Sequence, residues 1–267
     1  MQVSTISGRR FQHRVMTHGR GESPPVLMLH GFLGDMFSWQ YCVVPLARQG
    51  RVVALDLPAH GQCAQAWSGG LDGLTDWLED ALDALQLSRC HILAHSFGAW
   101  IALQAALRFS DRIASLSLVA CAGLDRHFNF PLLRDALQVD EPAAALRYAQ
   151  MLAGRSCDSV PRLARHHLEQ LADAPRRSML LSMLEDMIAA VASQAPSRLD
   201  WDRLTVPVRF FWSRNDRIVP MPDRLALPAQ PDLMLNDEGG HVPHILVPTW
   251  LTAGVSDFLD SLQRQTA

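Results

Sequence analysis

One serine in this sequence lies in a pattern typical of a nucleophile, between a predicted strand and a predicted helix. Ser96 lies between the short apolar segment 90–93 and a stretch of helical composition, 99–107. A serine on a sharp strand-to-helix turn needs small residues two positions before and two after it, because the backbone passes close to its neighbours there. Ala94 and Gly98 meet that need. The pattern predicts an exposed hydroxyl suited to attack on a carbonyl carbon, and the alternative is a serine that caps the helix.

A serine hydroxyl is a weak nucleophile until a base takes its proton and an acid orients that base. Two later residues are candidates for these roles. Asp216 follows the apolar segment 206–212, and His241 follows the short apolar segment 233–235. Both residues come just after a predicted strand, where the active sites of open sheets are found. We therefore assign Asp216 as the acid and His241 as the base.

Each assignment has an alternative. Asp216 also suits an ordinary turn, and Asp125 follows another predicted strand. His244 lies three residues after His241, but the two glycines before His241 suit a tight loop that delivers a side chain. The spacing of the two histidines also fits a metal site, yet no cluster of further ligands accompanies it. We expect neither a metal nor a cofactor.

The oxygen that becomes negatively charged during acyl transfer needs donors that are already in place. The backbone N–H of Phe97, directly after the serine, is one candidate. The second is the N–H of Phe32, in the glycine-rich loop that follows the apolar segment 26–29. A plain tight turn is the alternative for that loop.

Strands and helices alternate along most of the chain, which predicts a mostly parallel sheet with helices on both faces. An N-terminal hairpin is expected within 2–18, and the later strands are expected at 26–29, 51–57, 90–93, 113–120, 206–212 and 233–235. Residues 122–198 show only helix-like segments. We therefore predict a hydrolytic core of 1–121 and 199–267 with a helical cap, 122–198, inserted after the sixth strand.

Five short motifs carry a resemblance to a known family. They are His30-Gly31-Phe32, the segment 56–61, the turn around Ser96, the segment 215–220, and the segment 240–243. In this order they resemble the α/β-hydrolase superfamily, specifically its branch of lidded serine esterases and carbon–carbon hydrolases. The resemblance implies the α/β-hydrolase fold and the chain order serine, acid, histidine. Ala59 departs from the usual glycine.

The sequence is also similar to the hydrolase-like domain of acetoin dehydrogenase acyltransferase subunits. No lipoyl-carrying segment precedes it here, so that role is not expected. The resemblance implies a carboxylesterase-like enzyme acting on an ester or thioester of a moderately apolar acid. One alternative is a hydrolase of carbon–carbon bonds in a diketone-like ring-cleavage product. The other is a non-catalytic binding protein with the hydrolase fold.

The carbon–carbon alternative requires a cation for the substrate carboxylate. The predicted cap offers several arginines for that role: Arg126, Arg147, Arg165 and Arg176. The cap also holds methionines that either line an adaptable pocket or form a helix core: Met151, Met179, Met183 and Met187.

Composition excludes several other functions. The net charge of −3 offers no attraction to nucleic acid or to an anionic membrane. The chain has no lysine, which excludes Schiff-base chemistry and a Walker-type phosphate loop. Its five scattered cysteines suggest free thiols. The polar N-terminus and the short apolar runs suggest a cytoplasmic protein. The expected partners are the small-molecule substrates named above. No feature indicates an oligomeric state.

Overall fold

The computed structural model describes residues 1–21, 23–63, 69–124, 129–193 and 201–266. Across these residues a single sheet holds eight strands in the order β1-β2-β4-β3-β5-β6-β7-β8. The strands are β1 Gln2–Ser7, β2 Gln12–His18, β3 Val26–Leu29, β4 Val52–Leu55, β5 Cys90–His95, β6 Ile113–Val119, β7 Val208–Ser213 and β8 Asp232–Asn236. Pairing is antiparallel from β1 to β2 and from β2 to β4, and parallel from there on.

Helices cover both faces of this sheet. They are α1 Gln40–Leu46, α2 Gly70–Ala84, α3 Phe97–Arg108, α4 Phe130–Ala136, α5 Pro142–Ala153, α6 Val160–Leu171, α7 Ala174–Ser193, α8 Pro243–Leu246 and α9 Pro248–Thr266. In β3, Leu27 and Leu29 join the core under α2 and α3, whereas Val26 and Met28 join the core under α1 and α9. Successive side chains of a strand point to opposite faces, so a strand covered on both sides is apolar throughout. The predicted mostly parallel sheet with helices on both faces is confirmed.

Four helices, α4 to α7, follow β6 and precede β7 in the part of the chain that the structure describes. Their apolar faces pack on one another and on the core: α5 lies against α6, and α7 lies against α2. The predicted cap boundary at 121/122 falls in the loop after β6, and the boundary at 198/199 lies outside the described residues.

One predicted strand ends early. The strand expected over 51–57 ends at Leu55, and beyond it the N–H of Leu57 donates to Nε2 of His30 at 2.9 Å instead of to a neighbouring strand. The carboxylate of Asp56 accepts the N–H groups of Met36 and Gln62. The loop after β3 leads into a 3₁₀ turn, Met36–Trp39, which the side chain of Asp35 caps. The described helices include none that is both long and apolar enough to cross a membrane.

Candidate active site

Ser96 occupies a strained turn between β5 and α3, with φ 50° and ψ −113°. Its N–H donates to the carbonyl of Val119, 2.8 Å away in the next strand. A Cβ added at Gly98 would lie 2.4 Å from the carbonyl oxygen of His30, so only glycine lets α3 approach β3 this closely. The side chain of Ser96 makes no capping hydrogen bond to the helix. The alternative of a helix-capping serine is therefore wrong.

His241 lies between Ser96 and Asp216. Its Nε2 is 3.1 Å from the Oγ of Ser96, and its Nδ1 is 2.8 Å from the Oδ2 of Asp216. A carboxylate only accepts hydrogen bonds, so Nδ1 carries the hydrogen and Nε2 presents its lone pair to the serine hydroxyl. All three residues are buried. The structure thus brings together the three residues selected from the sequence.

The second carboxylate oxygen of Asp216 is also occupied. Its Oδ1 accepts the backbone N–H groups of Ile218 at 2.9 Å and Val219 at 3.0 Å. These bonds fix the plane of the carboxylate and leave Oδ2 directed at the imidazole. The turn that was the alternative interpretation of Asp216 therefore also orients its carboxylate.

The alternative base and acid are placed differently. His244 packs on the rings of His95 and Trp39, with centroids 4.5 and 4.7 Å away. No described residue is hydrogen-bonded to its Nδ1, and burial lowers its pKa to about 3. Asp125 lies outside the described residues.

The two candidate backbone donors belong to segments that lie next to the serine. Phe97 is the first residue of α3, so its N–H has no acceptor within the helix. Phe32 follows Gly31, where an added Cβ would lie 3.1 Å from the Cβ of Ser96. The Phe32 and Phe97 rings meet edge to face, with centroids 6.2 Å apart. Both loops therefore approach the serine closely.

A pocket opens above Ser96 between the core and helices α4 to α6, and with its open mouth it encloses about 660 Å³. The core contributes Phe32, Ser96 and His241 to its lining. The apolar lining is completed by Leu33, Leu133, Leu152, Leu163, Ile218, Val242 and Ile245.

No arginine lines this pocket among the described residues. Arg147 and Arg165 are exposed, and the guanidinium of Arg176 is hydrogen-bonded to Gln170. Arg126 lies outside the described residues. The described cap therefore gives the substrate carboxylate of the carbon–carbon alternative no arginine partner in the pocket.

Among the described residues, none of the four methionines of the predicted cap lines this pocket. Met183 and Met187 are buried in α7 against Phe97 and Trp100, outside this pocket. These two side chains pack α7 onto the core, as the helix-core alternative predicts.

Four buried histidines lie in or next to the site, and we call them the histidine cluster: His30, His60, His95 and His244. Burial lowers the pKa of His60 to about 4 and holds the pKa values of His30 and His95 well below the usual range. The rings of His30 and His60 lie 5.2 Å apart. Each ring therefore stays neutral in the folded protein at a pH where the unfolded chain takes up protons.

The cluster predicts that the fold is lost in mild acid. Below pH 6.5 the unfolded state binds more protons, and each cluster histidine then costs about 1.4 kcal/mol of stability per pH unit. Burial raises the pKa of Asp56 to about 6, and this single group opposes the trend. The four histidines outweigh this one carboxyl, so the free energy of unfolding falls with pH from a typical value of about 5–15 kcal/mol. We expect circular dichroism to show unfolding between pH 4 and 6.

His60→Asn provides the matched variant, because asparagine does not titrate and its amide can replace the bond from Nδ1 to the carbonyl of Pro58. Its acid midpoint should fall to a lower pH than that of the wild type. A wild-type protein that keeps its full stability at pH 4 would contradict this interpretation.

Comparison with known proteins gives matches along nearly the whole chain. The sequence model described as "Alpha/beta hydrolase family" matches residues 26–251. The dihydrolipoyllysine-residue acetyltransferase component of the acetoin cleaving system of Pseudomonas putida is 32% identical over 245 residues, which are 90% of this chain and 64% of that protein. This chain therefore spans less than two thirds of that relative.

Two further matches are nearly full length. The pimeloyl-[acyl-carrier protein] methyl ester esterase of Aeromonas hydrophila is 28% identical over 244 residues, covering 85% of this chain and 92% of the esterase. The structure of a 2-hydroxy-6-oxo-6-phenylhexa-2,4-dienoate hydrolase from Rhodococcus sp. strain RHA1 has a TM-score of 0.81 at 21% identity, covering 98% of this chain and 100% of that one. At that identity the structural likeness shows the fold alone. Together, the matches confirm the resemblance that the motifs predicted.

Proposed function

This chain belongs to the Alpha/beta hydrolase family, and we propose that it is a serine hydrolase that cleaves an ester or thioester of a moderately apolar acid. The observation that carries the proposal is the continuous contact from Ser96 through His241 to Asp216. A buried serine whose hydroxyl meets an imidazole, itself oriented by a fixed carboxylate, is the arrangement that acyl transfer requires.

The reaction follows from these contacts. The Oγ of Ser96 attacks the substrate carbonyl while Nε2 of His241 takes its proton, and Asp216 stabilises the resulting imidazolium. The backbone N–H groups of Phe32 and Phe97 receive the negative oxygen of the tetrahedral intermediate. His241 then protonates the leaving alcohol or thiol, and the acyl group stays on the serine.

Water completes the cycle. His241 takes a proton from a water molecule as its oxygen attacks the acyl-enzyme. The second tetrahedral intermediate collapses, the carboxylic acid leaves, and the proton on His241 returns to the Oγ of Ser96. Ser96, His241, the substrate and one water molecule account for every proton transferred and every bond formed or broken in these steps.

The lining of the pocket supports the choice of substrate class. Leucine, isoleucine and valine side chains cover much of it, and the described cap residues offer no arginine there. An acyl chain would gain about 0.8 kcal/mol for each CH₂ that it buries. A substrate with a free carboxylate would lose solvation in the same place without gaining a guanidinium partner. We also propose that the helices of residues 122–198 act as the cap over this pocket.

A substrate series tests the proposal against the two alternatives. We expect kcat/KM for p-nitrophenyl esters to rise from the acetate to the hexanoate as the chain fills the pocket. A ring-cleavage diketone should turn over at least tenfold more slowly than the best ester. Faster turnover of the diketone would favour the carbon–carbon hydrolase. Folded protein that hydrolyses neither class would favour the binding protein.

A further inference from the structure

The C-terminal end of cap helix α5 contacts the loop that carries His241. The backbone N–H of His241 donates to the carbonyl of Leu152 at 2.7 Å. The side chain of Leu152 meanwhile lines the pocket. One cap residue therefore touches both the space for the acyl chain and the backbone of the base.

Two glycines make this approach possible. Gly240 has φ +54°, and a Cβ added to it would lie 2.4 Å from the carbonyl of Ala153. Gly154 ends α5 with φ +67°, and a Cβ there would lie 2.7 Å from both the Nδ2 and the backbone oxygen of Asn215. The cap backbone is thus packed directly on both catalytic loops, with no space for a side chain between them.

Asn215 joins the two loops from the core side. It directly precedes Asp216, and its Oδ1 accepts the N–H of Gly240 at 3.0 Å. A third hydrogen bond holds the other side of the base, where Nε2 of His95 donates to the carbonyl of His241 at 2.7 Å. The backbone of His241 is therefore held at both its N–H and its carbonyl.

We propose that Asn215 and the α5 segment 152–154 act together as a positioning brace for His241. The inference rests on the proposed function, in which His241 is the base. A catalytic group must be held within about 0.5 Å of its productive position, and its supporting shell supplies that precision. The brace does so from the cap, so the C-terminal end of α5 stays on the core throughout the reaction cycle.

Asn215→Ala tests the brace, because Asn215 does not line the pocket and contacts no reacting atom. We expect kcat to fall about tenfold with KM changed less than about twofold, since small displacements of a base are costly. Asn215→Asp keeps an oxygen acceptor for Gly240 and should recover most of kcat. The matched control is Arg155→Ala, which removes the exposed ion pair with Glu238 and the hydrogen bond from Nε to the Glu238 carbonyl, beside the same contact. It should stay within twofold of the wild type.

Hydrogen exchange gives a second readout that does not depend on turnover. In Asn215→Ala the amide of His241 should exchange at least tenfold faster than in the wild type, and in Arg155→Ala it should not. Unchanged exchange of the His241 amide in Asn215→Ala would overturn the brace.

The two hypotheses fail separately. If the wild type hydrolyses no ester, the proposed function fails, and exchange alone then decides whether the brace holds the loop. If the wild type is active and Asn215→Ala matches it in kcat, the function stands and the brace is wrong as a catalytic device.

Discussion

Ser96→Ala is expected to reduce kcat for the best p-nitrophenyl ester by about 10⁴-fold or more. The substitution removes one oxygen and no packing volume beyond it. Alanine tolerates the turn at φ 50° as well as serine does, because the backbone strain at this φ arises from the Cβ, which both residues have. The melting temperature should therefore stay close to that of the wild type. The activity that remains would come from the backbone donors and from substrate binding alone.

Ser38→Ala is the matched control for this change. Ser38 lines the same pocket, and its hydroxyl donates to the carbonyl of Asp35 at 2.7 Å. Loss of that bond should cost about 1 kcal/mol of stability and leave kcat within a few-fold. If Ser38→Ala were as inactive as Ser96→Ala, the loss would reflect the pocket and not the nucleophile.

Asp216→Asn should lower kcat by about 10⁴-fold, through the tautomer of His241. The asparagine oxygen can still accept the N–H groups of Ile218 and Val219, which turns its NH₂ toward Nδ1 of the imidazole. Nδ1 must then accept, so the hydrogen moves to Nε2 and the base loses the lone pair that faces Ser96. Steady-state kinetics at pH 8, beside a melting curve, measures the effect.

Asp257→Asn is a suitable control, because Asp257 is exposed on α9, where it pairs with Arg209 and takes no part in the hydrogen bonds of Asp216. It should leave kcat unchanged. If Asp216→Asn kept a tenth or more of wild-type kcat, the acid would have to come from elsewhere, and Asp125 would be the next residue to change.

The sequence was most informative where one backbone constraint dictates a residue type. The apolar run of β3 predicted a strand covered on both faces, and its residues divide between the two cores. Gly98 was expected because the turn after Ser96 leaves no space for a side chain, and the contact with His30 is the reason. Ala59 departs from glycine and adopts φ 64°, which shows why glycine is usual there.

Contacts between distant segments were not predictable from local patterns. In the sequence, His95 is simply the residue before Ser96. In the structure its Nε2 donates a hydrogen bond to the carbonyl of His241, 146 positions away. Asn215 lies in a segment typical of a turn. The local pattern does not show that its side chain accepts the N–H of Gly240, 25 residues later in the chain. The short helices α4 and α8, with 7 and 4 residues, are too brief for a periodic signal.

The most direct test of the account is the mass of the protein after treatment with a fluorophosphonate. Phosphonylation requires a serine oxygen that a base has activated, whatever the natural substrate. We predict one adduct per chain, mapped to the peptide that contains Ser96, and no adduct on folded Ser96→Ala. Folded wild type that gains no mass, or equal labelling of Ser96→Ala, would contradict the central claim that Ser96, His241 and Asp216 form a working nucleophile.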